Sequence, residues 1–223
     1  MSQTYSRHPD IEHLVITSLA RLKDIEASYT RSLDERAVPP DLLVEVKHFL
    51  ADMRSTLDYL ANRIPTNDGY FPVTAAPAEF ANRTNGLDPK IVAILEKWQP
   101  YKNQEWFAHF NVLNNKIKHV GLIPQKRTER PETRVTHASG SSVVWGPGVT
   151  FGSGVFIMGV PIDPRTQLPI PNKILKTEIV TWVDFLFDNS KVPSLPANIS
   201  ALPLLKIVAE KVPQMIADLE SVT

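Results

Sequence analysis

The sequence predicts a mainly α-helical protein with a small antiparallel β-sheet, so that the fold class is α+β overall. Three observations support this class. Apolar residues recur every three or four positions over most of the first 120 residues, as in amphipathic helices. Residues 134–160 are rich in valine, threonine and aromatic residues and are broken by glycine turns. The segment 201–220 is periodic again, which predicts a closing helix.

The composition narrows the function classes. The chain has 24 Lys and Arg against 24 Asp and Glu, and this zero net charge argues against a general nucleic-acid coat while leaving a local basic site open. There is no cysteine, which excludes disulfides, thiolate metal sites and cysteine nucleophiles. No signal-like core opens the sequence and no apolar run is long enough to span a bilayer, so we expect a cytoplasmic protein.

The first two helices are predicted over 9–35 and 40–64, joined by Pro39-Pro40. Pro40 suits the first turn of a helix, because a proline there loses no helical hydrogen bond. We expect the two helices to pack as an antiparallel hairpin. The second helix presents an unbroken apolar seam of Leu43, Val46, Leu50, Met53, Leu57, Leu60 and Ile64.

Shorter helices follow before the character of the chain changes. One or two helical turns are predicted at 78–83, and a third substantial helix begins after Asp88, a plausible N-cap residue. The fourth helix is predicted over 103–120. Its apolar stripe is Trp106, Phe110, Leu113, Ile117 and Val120.

The remaining chain is predicted to carry the sheet and the last helix. We expect a charged loop at 125–134, a hairpin or meander at 134–160, a proline-rich loop at 161–172 and a strand at 177–187. Ser200 would cap the last helix, which Pro213 should bend. The predicted organisation is a helical bundle at 1–124, a β elaboration packed on it at 125–190, and a C-terminal helix at 191–223 that completes the bundle.

The fourth helix also carries a dense polar set. On a helical wheel, Asn114 and Lys118 fall beside the apolar stripe, and Asn115 and His119 fall nearly opposite it on one ridge. This ridge either faces water or is covered by a second element, a second subunit or a ligand. Arg54 and Asp58, four residues apart on the second helix, form either an ion pair or a polar network under residues 114–119.

Four stretches carry a resemblance to a known superfamily. They are LADMRSTLDYLANRI at 50–64, the extended Phe71-Pro72, LEKWQPY at 95–101 and LNNKIKH at 113–119. Together they resemble an uncharacterised bacterial branch of the HEPN superfamily over roughly residues 10–120. The resemblance implies a helical bundle that pairs as a homodimer. Many members of that superfamily are metal-independent ribonucleases of toxin–antitoxin, abortive-infection and CRISPR systems.

The active motif of that superfamily is an arginine, often followed by asparagine, four to six residues before a histidine. The resemblance places His119 at the histidine and Asn115 after the arginine, but Asn114 stands where the arginine is expected. A neutral amide stabilises developing negative charge less well than a guanidinium. The candidate catalytic residues are therefore His119, Lys118, Asn115 and Arg54, and the candidate substrate-binding residues are Asn114, Asn111 and Asp58.

In the catalytic interpretation, His119 acts as the general acid or base on RNA while Lys118 and Arg54 hold the phosphate. Two alternatives stay open: a non-catalytic homodimeric interaction protein with the same fold, and a small-molecule-binding protein with a pocket between bundle and sheet. No cofactor is expected, and the histidines show no metal-ligand spacing. The basic run Lys126-Arg127, Arg130 and Arg134 is a solvated loop or a polynucleotide contact. The aromatic set on helices three and four is core or a nucleobase platform, and comprises Trp98, Tyr101, Trp106, Phe107 and Phe110.

Overall fold

The computed structural model describes residues 4–35, 38–64, 69–146 and 148–223. Within these ranges the chain is a mixed α+β structure of helices and short antiparallel sheets. The helices are α1 (Pro9–Glu35), α2 (Pro40–Ala61), α3 (Pro77–Arg83), α4 (Pro89–Lys97), α5 (Glu105–His119) and α6 (Ala201–Glu220). The strands are β1 (Gln125–His137), β2 (Ser142–Trp145), β3 (Phe156–Ile157), β4 (Val160–Asp163), β5 (Leu168–Pro169) and β6 (Leu175–Phe187). No described helix is both long enough and apolar enough to cross a bilayer.

The chain divides into two compact units, which are described separately. The first comprises Met1–Lys126 and Phe185–Thr223 and contains every helix listed above. The second comprises Arg127–Asp184 and contains most of the strand residues. The chain passes between the units within β1 and β6.

The predicted positions of α1 and α2 are confirmed. α1 covers the predicted range, and α2 begins at Pro40 as predicted but ends at Ala61, short of residue 64. The predicted seam of α2 is buried except at Leu43, which is only partly buried, while Leu42 and Phe49 are buried in addition. The two helices pack on each other, and both contact α6.

The last helix completes the core of the first unit. α6 contacts α1, α2, α4 and α5, and buries Leu205, Val208, Val212 and Ile216 completely. Its helical assignment continues through Pro213. Ser200 occupies the N-cap position as predicted, but its side chain makes no capping hydrogen bond. Asp88 does cap α4, since its carboxylate accepts the Lys90 N–H at 2.7 Å.

The buried face of α5 differs from the predicted stripe. Phe107 is buried in addition to the predicted residues, Trp106 is partly buried and packs against the core, and Val120 is 68% exposed, so one of the five predicted stripe residues was wrong. Asn114, predicted beside the stripe, is 2% exposed and lies on the buried face. The buried face is thus rotated toward Phe107 and Asn114, because α5 packs between α2 and α6 rather than on one of them.

The predicted loop at 125–134 was wrong. These residues form most of β1, the central strand of the sheet with order β2-β1-β6. Pro131 is tolerated because odd-numbered residues of β1 face β2, as the bond from the His137 N–H to the Ser141 carbonyl shows. β2 pairs with β1 only between Thr133 and Thr136, so the missing proline N–H falls beyond that ladder. The predicted loop at 161–172 was also partly wrong, since it contains β5 and most of β4.

The predicted strand at 177–187 is confirmed as β6. Its pairing with β1 is visible at both ends, where the Ala138 N–H donates to the Ile174 carbonyl at 2.9 Å and the Asp188 N–H donates to the Pro124 carbonyl at 2.9 Å. The strands β3, β4 and β5 form a second antiparallel sheet, in that order. In the second unit, Val135, Ile157 and Ile162 form a small apolar cluster.

Candidate functional site

The C-terminal end of α5 carries the predicted ridge. Asn115 and His119 lie one helical turn apart and are exposed, as is Lys118. Lys116, Lys118 and His119 occupy the last turn, where cationic groups interact favourably with the negative end of the helix dipole. Within the described chain, His119 makes no hydrogen bond or ion pair, so its imidazole is available to a ligand.

An open cavity of about 360 Å³ lies beside this helix end. α5 contributes the polar side chains of Asn115, Lys116 and His119. The other lining residues are Val112, Val120, Val192, Pro193 and Ser194. The cavity therefore combines an apolar floor with an imidazole, an ammonium, an amide and a hydroxyl, and no carboxylate lines it.

A second cavity of about 410 Å³ shares Lys116 and Val120 with the first. Its other lining residues are Gly121, Leu122, Ile123, Pro124, Ser190 and Lys191. We call the two cavities together the α5-end groove. The second cavity adds Lys191 to the cationic groups and again presents no carboxylate among its lining residues.

The turn that forms the far wall of the groove is held by Asp188. Its Oδ1 accepts from the Lys126 Nζ at 2.9 Å, from the Ser190 N–H at 3.1 Å and from the Ser190 hydroxyl at 2.7 Å. The hydrogen bond from Lys126, followed by that from Ser190, lowers the pKa of Asp188 to about 2. This carboxylate is thus satisfied internally and does not oppose an anion in the groove.

Arg54 and Asp58 hold the extended segment that follows α2. Arg54 is 7% exposed, and its Nη2 donates to the Phe71 carbonyl at 2.9 Å and contacts Asp58 Oδ1 at 2.9 Å. The same Asp58 oxygen accepts the Phe71 N–H at 3.1 Å. The structure therefore brings Arg54 and Asp58 together on the backbone of Phe71, and joins neither of them to His119.

Gln99 holds the same segment from the other side, a role that sequence reasoning missed. Its side chain is fully buried; Oε1 accepts the Thr74 N–H at 2.9 Å, and Nε2 donates to the carbonyls of Pro72 and Leu95, each at 3.0 Å. The one sequence signal was an amide between Trp98 and Pro100 at the end of an apolar helix. Gln99 and the Arg54–Asp58 pair thus hold the backbone of the same extended segment.

The two remaining predicted substrate-binding residues lie on α5 outside the groove lining. Asn114 is buried, and its Nδ2 has no hydrogen-bond partner among the described residues. Asn111 is half-buried. The side chain of Asn114 therefore lies in the protein interior.

The aromatic set is largely core, since Trp98, Phe107 and Phe110 are buried and the Phe107 and Phe110 rings stack at 6.3 Å. Lys126 and Arg127 belong to β1 and form ion pairs with Asp188 and Glu129. Among the described residues, no three His, Asp or Glu side chains are grouped as metal ligands.

Comparison of the chain with models of protein families, with curated proteins and with solved structures finds no match.

Proposed function

We propose that this protein is a HEPN-like helical-bundle protein that binds single-stranded RNA in the α5-end groove without cleaving it. The observation that carries the proposal is the lining of the groove. Lys116, Lys191 and His119 surround an apolar floor, and no lining residue is a carboxylate. Such a surface attracts an anion that also has an apolar face.

Single-stranded RNA has the matching chemistry. Lysine ammonium groups bind phosphate oxygens, and the release of counterions contributes to affinity. Asn115 and the Ser194 hydroxyl offer donors and acceptors to a base edge or a ribose 2′-hydroxyl. The side chains of Val112, Val120 and Val192 can cover one face of a base. Unpaired nucleotides expose that face, whereas a duplex does not.

The position of the motif residues supports binding without cleavage. Metal-free cleavage needs a proton-transfer group together with a fixed positive charge beside the phosphate. His119 could serve as the first group, but Asn114 stands in the arginine position and is buried. Arg54 is held on Phe71 by a hydrogen bond and by its ion pair with Asp58. Lys118 supplies a point charge and no bidentate fork.

The binding proposal is tested by fluorescence anisotropy with a labelled single-stranded RNA oligonucleotide. We expect His119→Ala and Lys116→Gln each to weaken binding by about tenfold, because the first removes a hydrogen-bonding imidazole and the second removes a charge-assisted contact. Lys116→Gln should also reduce the salt slope by about 0.7. Lys90→Gln, a change at an exposed lysine on α4, is the matched control and should bind like the wild type.

Three outcomes would overturn the proposal. These are the absence of RNA binding, equal weakening by the Lys90 control, and RNA cleavage in the presence of EDTA that His119→Ala abolishes. The last outcome would replace the binding function with the ribonuclease function.

A second candidate function is a protein interaction at the same surface. It is favoured by Val120 and Leu122, which are 68% and 39% exposed beside the groove. Val120→Asp should then lower the mass seen in sedimentation velocity in the absence of RNA. An unchanged mass would remove this candidate.

A further inference from the structure

The outer edge of β6 is a long strand edge without a strand partner over most of its length. In the sheet order β2-β1-β6, β6 pairs with β1 on one side only. On its other side, the described chain forms a single isolated bridge at the far end, between Leu186 and Ser200. Residues 176, 177 and 179 are exposed, and Ile179, at 72%, is the most exposed large hydrophobic residue among those described.

The direction of the backbone groups along this edge follows from three hydrogen bonds. The Ile174 carbonyl and the Asp188 N–H both bond toward β1, so even-numbered residues of β6 face β1. The Phe187 N–H bonds to the Ile199 carbonyl on the opposite side. Odd-numbered residues therefore direct their N–H and carbonyl groups to the outer edge.

We propose that this edge pairs with the same edge of a second copy of the chain, antiparallel about a two-fold axis at Thr177. Thr177 is odd-numbered, so its outward N–H and carbonyl can exchange both hydrogen bonds with Thr177 of the second copy. The next outward residues are Leu175 and Ile179, and Leu175 of each copy then lies opposite Ile179 of the other copy. The Leu175 carbonyl can accept from the Ile179 N–H across the axis.

The side chains of this segment are self-complementary in that register. Residues 175–179 read Leu-Lys-Thr-Glu-Ile. A two-fold axis at Thr177 therefore sets Lys176 of each copy opposite Glu178 of the other copy. These two side chains already form an ion pair within the chain at 3.0 Å. The exposed Ile179 would be covered by Leu175 of the second copy on the other face of the sheet.

Other registers lack this complementarity. A two-fold axis at residue 180 would set Lys176 opposite Asp184, but even-numbered backbone groups face β1 and cannot pair outward. An axis shifted by four residues, to 181, would set Glu178 opposite Asp184, and like charges directly opposite each other are destabilising. The charge pattern and the direction of the hydrogen-bonding groups thus select the same centre independently.

Pairing with a second copy explains the residues of this strand edge better than protection of the edge against association does. A lysine in an exposed edge strand ordinarily disfavours strand addition, because it would be set against a partner that does not neutralise it. Here Glu178 of a second copy would neutralise Lys176. Only an identical strand in the two-fold register places that glutamate opposite the lysine. The inference does not depend on RNA binding, since it uses none of the residues of the α5-end groove.

The test measures the mass of the full-length protein by sedimentation velocity as a function of concentration. We expect a monomer–dimer equilibrium that Lys176→Glu and Glu178→Lys each weaken by about tenfold, because each change acts twice about the axis. The double variant Lys176→Glu/Glu178→Lys should restore dimerisation. Lys90→Glu, a charge reversal on α4, should leave it unchanged.

Thr177→Pro supplies the backbone test. It removes an outward N–H that makes no bond to β1, so circular dichroism and the unfolding midpoint should stay near those of the wild type while the dimer is lost. A protein that is monomeric at every concentration, or whose dimer survives Thr177→Pro, overturns the proposal. Failure of the double variant to restore the dimer overturns the register.

Discussion

Arg54 donates a hydrogen bond from Nη2 to the carbonyl oxygen of Phe71 at 2.9 Å. The N–H of Phe71 is bound by Asp58, so α2 satisfies both backbone groups of one residue in an extended segment. Buried backbone groups outside helices and sheets need such partners. Arg54 and Asp58 therefore have a structural use in this chain, which any catalytic role would have to share.

Arg54→Ala should destabilise the protein by about 3 kcal/mol, because it leaves the Asp58 carboxylate and the Phe71 carbonyl without their buried partner. Urea unfolding measures this change. The matched control is Arg63→Ala, which breaks an exposed ion pair with Asp10 and should cost less than about 1 kcal/mol. Equal losses for the two variants would show that burial of Arg54 carries no energetic weight.

Gln99→Ala should destabilise the protein by about 3 kcal/mol. It leaves the Thr74 N–H and the Pro72 carbonyl unpaired and opens a cavity under the extended segment. Gln99→Glu keeps the volume but replaces the donor that faces two carbonyls, so it should not rescue stability. Gln104→Ala serves as the control, because Gln104 makes one partly buried contact, with the Trp106 indole. Denaturant midpoints that move equally for positions 99 and 104 would contradict this prediction.

The lowered pKa of Asp188 predicts that the protein loses stability in acid. Its pKa is lowered to about 2 from an unfolded value of about 3.9, so its contribution is fully present above about pH 4 and is lost as the pH falls toward 2. Asp188→Asn should flatten the fall of the thermal midpoint over that interval. The variant should also weaken RNA binding at neutral pH, because Asp188 holds the turn that carries Ser190 and Lys191. A pH profile identical to that of the wild type would contradict the assignment.

The lowered pKa of His109 predicts a second pH dependence of stability, closer to neutral pH. Partial burial on α5 lowers its pKa below the usual value, and the nearby Glu105 opposes this only in part. The folded state thus favours the neutral ring, so its contribution to stability is present above about pH 6.5 and is lost as the pH falls through the lowered pKa. His109→Gln should reduce the slope of the unfolding midpoint across this range. Glu105→Gln removes the opposing charge and should steepen it.

The helices could be predicted from the sequence because their signals are local. Apolar spacing identified α1, and Pro40 and Asp88 marked the beginnings of α2 and α4. β1 was missed because its charged residues resemble a loop until they are paired with β6. The predicted ridge of Asn115 and His119 is exposed as the wheel indicated, but the wheel alone gave no sign of the wall formed by residues 190–194.

By itself the sequence determined the α+β class, most helix positions and the exposed ridge on α5, because periodicity of apolar residues acts within one element. Only the tertiary structure decided what Arg54, Gln99 and Asn114 touch, and which side chains line the α5-end groove. Those outcomes depend on contacts between residues far apart in the chain. The polarity or charge of one residue does not indicate whether its partner will be solvent, a backbone carbonyl or another side chain.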